Sequence, residues 1–363
     1  MADNDSVFEF HLEVADLTEI RRKDSTLDLE LPYTQKSIAE DSHLEALRSV
    51  DDLIIRLDDL GVPGPLTVDP SPRKHLGEGG QFIVYEGSLL DPSTSCETET
   101  ETEAVAIKTP KFGVFPDGQL DLTSSTSRRQ INDFYLEVVA LRNQALLNSR
   151  NVVQLLGWTV AQTIHQTPSL VFELALGTMA SIFEGPEITW HIKHQLCLDV
   201  GNGLDAIHKA GIIHSDLKPQ NALIFRAGSW DTPLVAKLAD FGASEAEQGA
   251  EGDTVMEVKG LSYDWSAPEI SLNARVTMSQ MLKADVFSWG LLVLSFSCLK
   301  GAAPSCKESD AAASIVRETA EISASYLVLL TTALPLLLHP NPAERPQEVG
   351  HLLVDESEAC EMW

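Results

Sequence analysis

The sequence predicts an α+β protein of two unlike lobes preceded by an acidic arm, and three observations predict it. From Lys74 to about residue 172, apolar residues fall in short alternating runs broken by Gly and Asp-Pro, the pattern of half-buried strands. After about residue 177 they fall in longer stretches with helical spacing. Residues 1–70 stand apart, with 17 Asp and Glu against 6 Lys and Arg. Strands grouped first and helices second indicate an α+β arrangement, not an alternating one.

Within the arm, Leu44, Leu47, Val50, Leu53, Ile54, Leu57 and Leu60 recur at intervals of three and four, which predicts an amphipathic helix near 43–60. Gly61-Val-Pro-Gly-Pro65 stops it, and Pro70-Ser-Pro72 marks a linker. His75–Leu76, Phe82–Tyr85 and Ala104–Lys108 read as strands, and the acidic low-complexity stretch Cys96–Glu103 as a solvated loop between two of them. Asn132–Leu147 reads as a helix with Phe134, Val138, Leu141 and Ala145 on one face. Ile192–Ala210, Met281–Leu299, Ser309–Ser323, Ser325–Leu338 and Gln347–Leu353 read as the later helices. The expected organisation is an arm at 1–71, a main domain at 72–354 and a short acidic tail at 355–363.

Composition excludes several classes. The formal charge is −28, and a field of that sign repels phosphate backbones and anionic lipid, so nucleic acid is not expected as a partner. The longest apolar runs, Trp289–Leu299 and Tyr326–Leu338, are too short to span a bilayer, and no membrane span is expected. Five scattered cysteines form no Cys-x-x-Cys pair, which argues against a disulfide framework or a zinc site. With an acidic start, Met-Ala-Asp-Asn-Asp, where a signal peptide is basic, the chain reads as intracellular, cytoplasmic or nuclear.

Three motifs carry chemistry. Leu76-Gly77-Glu78-Gly79-Gly80-Gln81-Phe82 spaces glycines between two strands, so that backbone can fold over an anionic group; alone it is also an ordinary hairpin turn. Val105-Ala106-Ile107-Lys108 ends a β-branched strand in a lysine, by itself usually a solvent-side charge, but Glu137 follows 29 residues later on a half-buried helix face and needs a cation. The most specific motif is His214-Ser215-Asp216-Leu217-Lys218-Pro219-Gln220-Asn221, followed by Asp240-Phe241-Gly242 at a strand end. An amide and a carboxylate placed together can hold Mg²⁺, which prefers hard oxygen ligands, and the other carboxylate is then free to orient a hydroxyl.

In this order, together with Ser266-Ala267-Pro268-Glu269, Lys283-Ala284-Asp285 and Pro342-Ala343-Glu344-Arg345, these motifs resemble a eukaryotic-type protein kinase domain over about residues 72–354. The style of the glycine loop and of Leu170–Ala175 also resembles kinase-like proteins of filamentous fungi. The resemblance implies a bilobal fold, with a small β-rich N-lobe at about 72–172 and a larger helical C-lobe at about 176–354. It implies ATP and Mg²⁺ as cofactors and a protein substrate carrying Ser or Thr. Gly77 and Gly79 would cover the phosphates, and Val84 and Ala106 would lie against the nucleotide. Lys108, paired with Glu137, would hold the α- and β-phosphates. Phe172 falls at the gatekeeper position, with Glu173 to Ala175 as the hinge. Asp216 would accept the hydroxyl proton, Lys218 would steady the transferring phosphoryl, and Asn221 and Asp240 would bind the metal. Glu269 would pair with Arg345.

Three positions, two in the glycine loop and one beside the catalytic aspartate, depart from the pattern. Phe82 stands where the loop's third glycine is usual, and Gln81 where an aromatic is usual. Ser215 replaces the arginine that commonly precedes the catalytic aspartate. These departures make a pseudokinase, a nucleotide-binding or scaffold module without turnover, the alternative reading, although Lys108, Asp216, Asn221 and Asp240 are all present. A kinase of small molecules is a third reading, against which the Ala-Pro-Glu ending of the activation segment argues. The helix near 44–60 is expected to contact either the main domain or a partner.

Overall fold

A computed structural model describes residues 47–69, 74–90, 103–160, 167–184, 188–227, 233–243, 245–246, 255–258, 262–305, 307–319 and 322–354. The described residues all fall within one compact unit, Ser37–Trp363. The expected loop at 96–103, all but its last residue, and the acidic tail lie outside them.

The first described helix, α1 (Val50–Asp59), starts where a capping box fixes it: Ser49 Oγ accepts from Asp52 N at 3.2 Å, and Asp52 Oδ2 accepts from Ser49 N at 2.9 Å. Its leucines are not left to water. Leu47, Leu53 and Leu57 are at most 2% exposed and join the main core, while Ile55 on the opposite face is exposed. The chain then runs beside the sheet, with Leu66 N donating to Trp158 O at 2.7 Å and Trp158 N to Pro63 O at 2.8 Å. Arg142 Nε reaches back to Leu60 O at 3.2 Å. Residues 47–69 are therefore a layer of the N-lobe, and a boundary at residue 71 falls after packed structure.

Five antiparallel strands follow in the order β1-β2-β3-β5-β4: β1 (His75–Glu78), β2 (Phe82–Leu89), β3 (Glu103–Pro110), β4 (Leu155–Val160) and β5 (Pro168–Glu173). The two faces divide by alternation. Val105, Ile107 and Val171 form one buried cluster with Leu66 and Val68 against it. Residues two apart share a face, so Ala106 and Lys108 point the other way, opposite Val84, Leu170 and Phe172 in register. Helix α2 (Ser125–Leu141) follows β3 in the chain and is part of the N-lobe. It begins seven residues before the expected start, because Ser124 caps it, and its polar first turns hide the helical period. It ends at Leu141, so Ala145 lies outside the helix and is exposed.

The C-lobe begins with β6 (Gly177–Thr178) and α3 (Trp190–Lys209), then β7 (Ile212–Ile213), β8 (Ala222–Arg226) and β9 (Leu234–Leu238). Short strands β10 (Glu245–Ala246), β11 (Val255–Glu257) and β12 (Arg275–Thr277) lead to α4 (Met278–Cys298), α5 (Ser309–Glu318) and α6 (Ala324–Leu337). Residues 350–353 make one 3₁₀ turn instead of the expected helix over 347–353. Helices α3 and α4 cross closely: a Cβ on Gly201 would lie 2.7 Å from the Trp289 ring, and Trp289 Nε1 donates to Cys197 O at 3.1 Å. Among the described residues α4 alone is long and apolar enough to cross a membrane by length and composition, and 83% of its apolar window is buried inside the fold. Ser, Asp and Lys interrupt its apolar run, which is why a search for unbroken apolar stretches passes over it.

Arg345 holds the C-lobe's lower core. Its side chain is wholly buried, with Nη1 and Nη2 on Glu269 at 2.5 and 2.9 Å and Nε on His339 O at 2.8 Å. Arg345→Met keeps the volume but strands Glu269 and two carbonyls, His339 O and Lys283 O, the latter 3.0 Å from Nη1, so chemical denaturation should show a loss of about 3–5 kcal/mol. Arg345→Lys should recover only part of it, since a lysine cannot make the forked contact.

Candidate active site

Strand β3 presents Lys108 toward α2, whose Glu137 is 1% exposed. Lys108 Nζ donates to Glu137 Oε1 and Oε2 at 2.7 and 2.8 Å and to Asp240 Oδ1 at 2.9 Å. Burial opposes the lysine's charge, but Asp240 and Glu137 outweigh it and raise its pKa above the ordinary value. The same ammonium holds Asp240 below the ordinary carboxylate value, against the effect of burial. Burial pushes Glu137 upward despite its lysine partner.

The second group sits where β7 gives way to a loop. Asp285 of α4 accepts from His214 N at 2.8 Å, Ser215 N at 3.0 Å and His208 Nε2 at 3.0 Å. This anchor holds Ser215 at φ 67, a left-handed conformation that costs a non-glycine residue about 1–3 kcal/mol. The turn sets Asp216 among Lys218, Asn221 and Ser262. Asp216 Oδ2 accepts from Lys218 Nζ at 2.6 Å and from Asn221 Nδ2 at 3.2 Å, and Oδ1 accepts from Ser262 Oγ at 2.6 Å. Ser262 in turn accepts from Lys218 Nζ at 3.1 Å.

The two groups meet through backbone. Ala239 N donates to Asn221 O at 2.9 Å, and the next residue, Asp240, takes φ 65, which turns its carboxylate toward Lys108. Asn221 Nδ2 is held by Asp216 O at 2.8 Å, so the amide oxygen is the atom left to face a cation. One amide oxygen and one ionised carboxylate suit Mg²⁺, which keeps water and phosphate oxygens for its other positions. The donor set fits that ion. Among the described residues no cluster of three or more His, Cys, Asp or Glu offers another metal site.

The glycine hairpin also suits a phosphate ligand. A Cβ on Gly77, Gly79 or Gly80 would meet nothing within 4 Å, and none of the three has positive φ. The folded chain itself therefore places no steric demand for glycine there; close approach by something outside the chain would. At the hinge, Val84, Ala106 and Ala175 are half-buried, while Glu173 points away to Lys237 of β9 at 2.6 and 2.7 Å. That ion pair borders a cavity of about 410 Å³, also lined by Arg150, Leu176, Phe225 and Arg226, in which only Glu173 and Leu174 of the expected site and hinge residues take part.

Sequence order thus brought together Lys108, Glu137 and Asp240 in one group and Asp216, Lys218 and Asn221 in another. Residues 96–353, well over half of the chain, match the family model described as the protein kinase domain. The chain belongs to the protein kinase domain family. The matched stretch begins after the glycine hairpin, which is tied to the kinase fold by its pairing with β3. Similar proteins include wall-associated receptor kinase-like 16 of Arabidopsis thaliana, 29% identical over 266 residues, which cover 70% of this chain and 50% of that protein. Wall-associated receptor kinase 4 of the same plant is 30% identical over 228 residues, 60% of this chain and 25% of the relative. A G-type lectin S-receptor-like serine/threonine-protein kinase of Oryza sativa subsp. indica is 26% identical over 233 residues, 63% of this chain and 24% of the relative. This kinase domain chain spans half or less of the length of these relatives. They are plant proteins, so the likeness to fungal kinase-like proteins gains no support from them.

Proposed function

We propose that this chain is an ATP-dependent protein kinase that transfers the γ-phosphate of Mg-ATP to Ser or Thr hydroxyls of a protein substrate. The observation that carries the reading is the contrast between two aspartates. Asp240 accepts from the buried lysine at 2.9 Å, whereas Asp216 has no contact with that lysine and accepts instead from Lys218, Asn221 and the Ser262 hydroxyl, the last at 2.6 Å. Mg²⁺, held by Asn221 and Asp240, would neutralise phosphate oxygens and so lower the barrier to their transfer. Lys108, kept charged by its two carboxylates, would align the α- and β-phosphates. Asp216 orients the incoming hydroxyl and takes its proton. Lys218, beside it, offsets negative charge as the phosphoryl moves. A lysine two residues after the base is the Ser/Thr-kinase choice in the family this chain resembles. Against the silent-scaffold alternative stands the presence of Lys108, Asp216, Asn221 and Asp240 together.

The test is phosphate transfer from labelled Mg-ATP to a basic protein substrate, chosen to suit the chain's −28 charge. Transfer should be present in the native chain. It should fall by about 10³-fold or more in Lys108→Met, which loses phosphate alignment, and in Asp240→Ala, which loses a metal ligand. Asp240→Ala should also weaken the dependence of nucleotide affinity on added Mg²⁺. Undiminished transfer in both variants would remove these assignments.

A further inference from the structure

The ammonium of Lys108 has little open space left. Two sides are taken by Glu137 and Asp240, and a third is covered by the ring of Phe82, whose centroid lies 4.2 Å from Nζ. The lysine side chain is 11% exposed, and Phe82 is 5% exposed. A phosphate oxygen that is to reach Nζ must displace the ring or one of the carboxylates. The ring is the weaker partner: a cation–π contact is worth about 0.5–2 kcal/mol, while a buried charged hydrogen bond is harder to replace.

Phe82 is not held there by its own packing alone. Four side-chain contacts pull the hairpin tip down on the rest of the N-lobe. Gln81 Nε2 donates to Asp133 Oδ2 at 2.7 Å, and Gln130 Nε2 donates to Gly80 O at 2.9 Å. Lys111 Nζ donates to Glu78 Oε1 and to Gly79 O, both at 2.6 Å. Lys111 N also donates to Gln81 O at 2.9 Å, so three successive carbonyls at the tip are engaged. Gln130, Asp133 and Glu137 lie three and four residues apart, on one face of α2, and all three are buried. One stripe of that helix therefore grips the loop with two residues and the lysine with the third.

We propose that Gln81 and Gln130 form a latch that holds the glycine loop on α2 and seats Phe82 over Lys108, so that phosphate-bearing ligands must open the latch to reach the lysine. The inference rests on the reading of this cleft as a nucleotide site. It makes Gln81, Gln130 and Asp133 positioning residues that act through Phe82. A ligand without phosphates does not compete with the ring, so the latch discriminates by phosphate and not by base. The position of α2 and the closure of the loop are also coupled: a shift of α2 that draws Glu137 from Lys108 also moves Asp133 and Gln130 from the loop.

The experiment compares binding of Mg-ATP and of adenosine by calorimetry, beside amide hydrogen exchange of residues 77–82, in the full chain. Gln81→Ala removes the bond, and Gln81→Glu replaces the amide donor with an acceptor, so neither variant can donate to Asp133, whose Oδ2 also lies 3.6 Å from Arg129 Nε. Both should tighten Mg-ATP about tenfold, the worth of one hydrogen bond to a charged group, and leave adenosine unchanged. Exchange at 77–82 should rise in both. Gln81→Glu combined with Asp133→Asn restores a donor opposite a carboxylate and should return both readouts toward the native values. Phe82→Leu keeps an apolar side chain in place, removes the ring face, and should tighten Mg-ATP without raising exchange. Unchanged exchange and unchanged Mg-ATP affinity in the Gln81 variants would overturn the latch. Equal tightening of adenosine would overturn its selectivity for phosphate. Raised exchange with no nucleotide bound by any variant or by the native chain would instead overturn the nucleotide site itself, and with it the proposal that the latch guards one.

Discussion

Asp216→Asn should lower phosphate transfer by about 10³-fold while leaving Mg-ATP affinity within twofold of native, the usual span for a lost general base being 10²–10⁴. Asparagine keeps the shape, and its Oδ1 still accepts from Ser262, the contact Asp216 makes at 2.6 Å. What it loses is the ability to take a proton and the charge that holds Lys218 at 2.6 Å. Ser215, Asp285 and the positive-φ turn are untouched, so the loop keeps its course. Calorimetry with Mg-ATP separates this effect from misfolding, because a misfolded cleft loses nucleotide as well as turnover. Ser262→Ala should fall between the native chain and Asp216→Asn, since Ser262 bridges both Asp216 and Lys218. Turnover that survives in Asp216→Asn would remove the base assignment.

Deleting residues 1–70 should destabilise the N-lobe far beyond the effect of trimming a tail. The deletion takes Leu47, Leu53, Leu57 and Val62 out of the main core, each at most 3% exposed, and unpairs Trp158 from Pro63 and Leu66. A single buried leucine truncated to alanine costs about 2–5 kcal/mol, comparable to much of a domain's net stability of about 5–15 kcal/mol. Leu53→Ala with Leu57→Ala should therefore lower the melting temperature by about 8 °C or more, since about 4 kcal/mol or more of packing is lost at roughly 2–4 °C per kcal/mol. Ile55→Ala, on the exposed face of the same helix, should change it little. Equal, small shifts for the buried and the exposed positions would mean that α1 does not rest on the lobe.

The parts legible in the sequence were those with a short-range signature. The α+β order came from the change of hydrophobic period near residue 177, the group Asp216–Lys218–Asn221 from spacing within one motif, and the Lys108–Glu137 pair from a half-buried glutamate that needs a cation. Asp216, Lys218 and Asn221 meet because they lie close together in one loop and the turn that follows it. Contacts made across long sequence separations were less legible. Gln81 stood out only as a glutamine in an aromatic's place, and nothing local ties it to Asp133, 52 residues on. Lys237 and Glu173, 64 residues apart, gave no signal at all. The start of α2 was missed because Ser-Thr-Ser-Arg-Arg is polar all round and carries no period, though Ser124 is a readable cap. The arm was set apart by its charge, yet the leucine stripe within it already required burial, and the packed helix follows from the stripe, not from the charge.

The measurement closest to the central claim is phosphoamino-acid analysis of a basic protein substrate incubated with this chain and labelled Mg-ATP, with Asp216→Asn run in parallel. The account predicts label on serine and threonine from the native chain and none above background from the variant. Label on tyrosine alone would contradict the substrate class; equal label from both proteins, or none from a native chain shown to bind Mg-ATP, would contradict the catalytic reading.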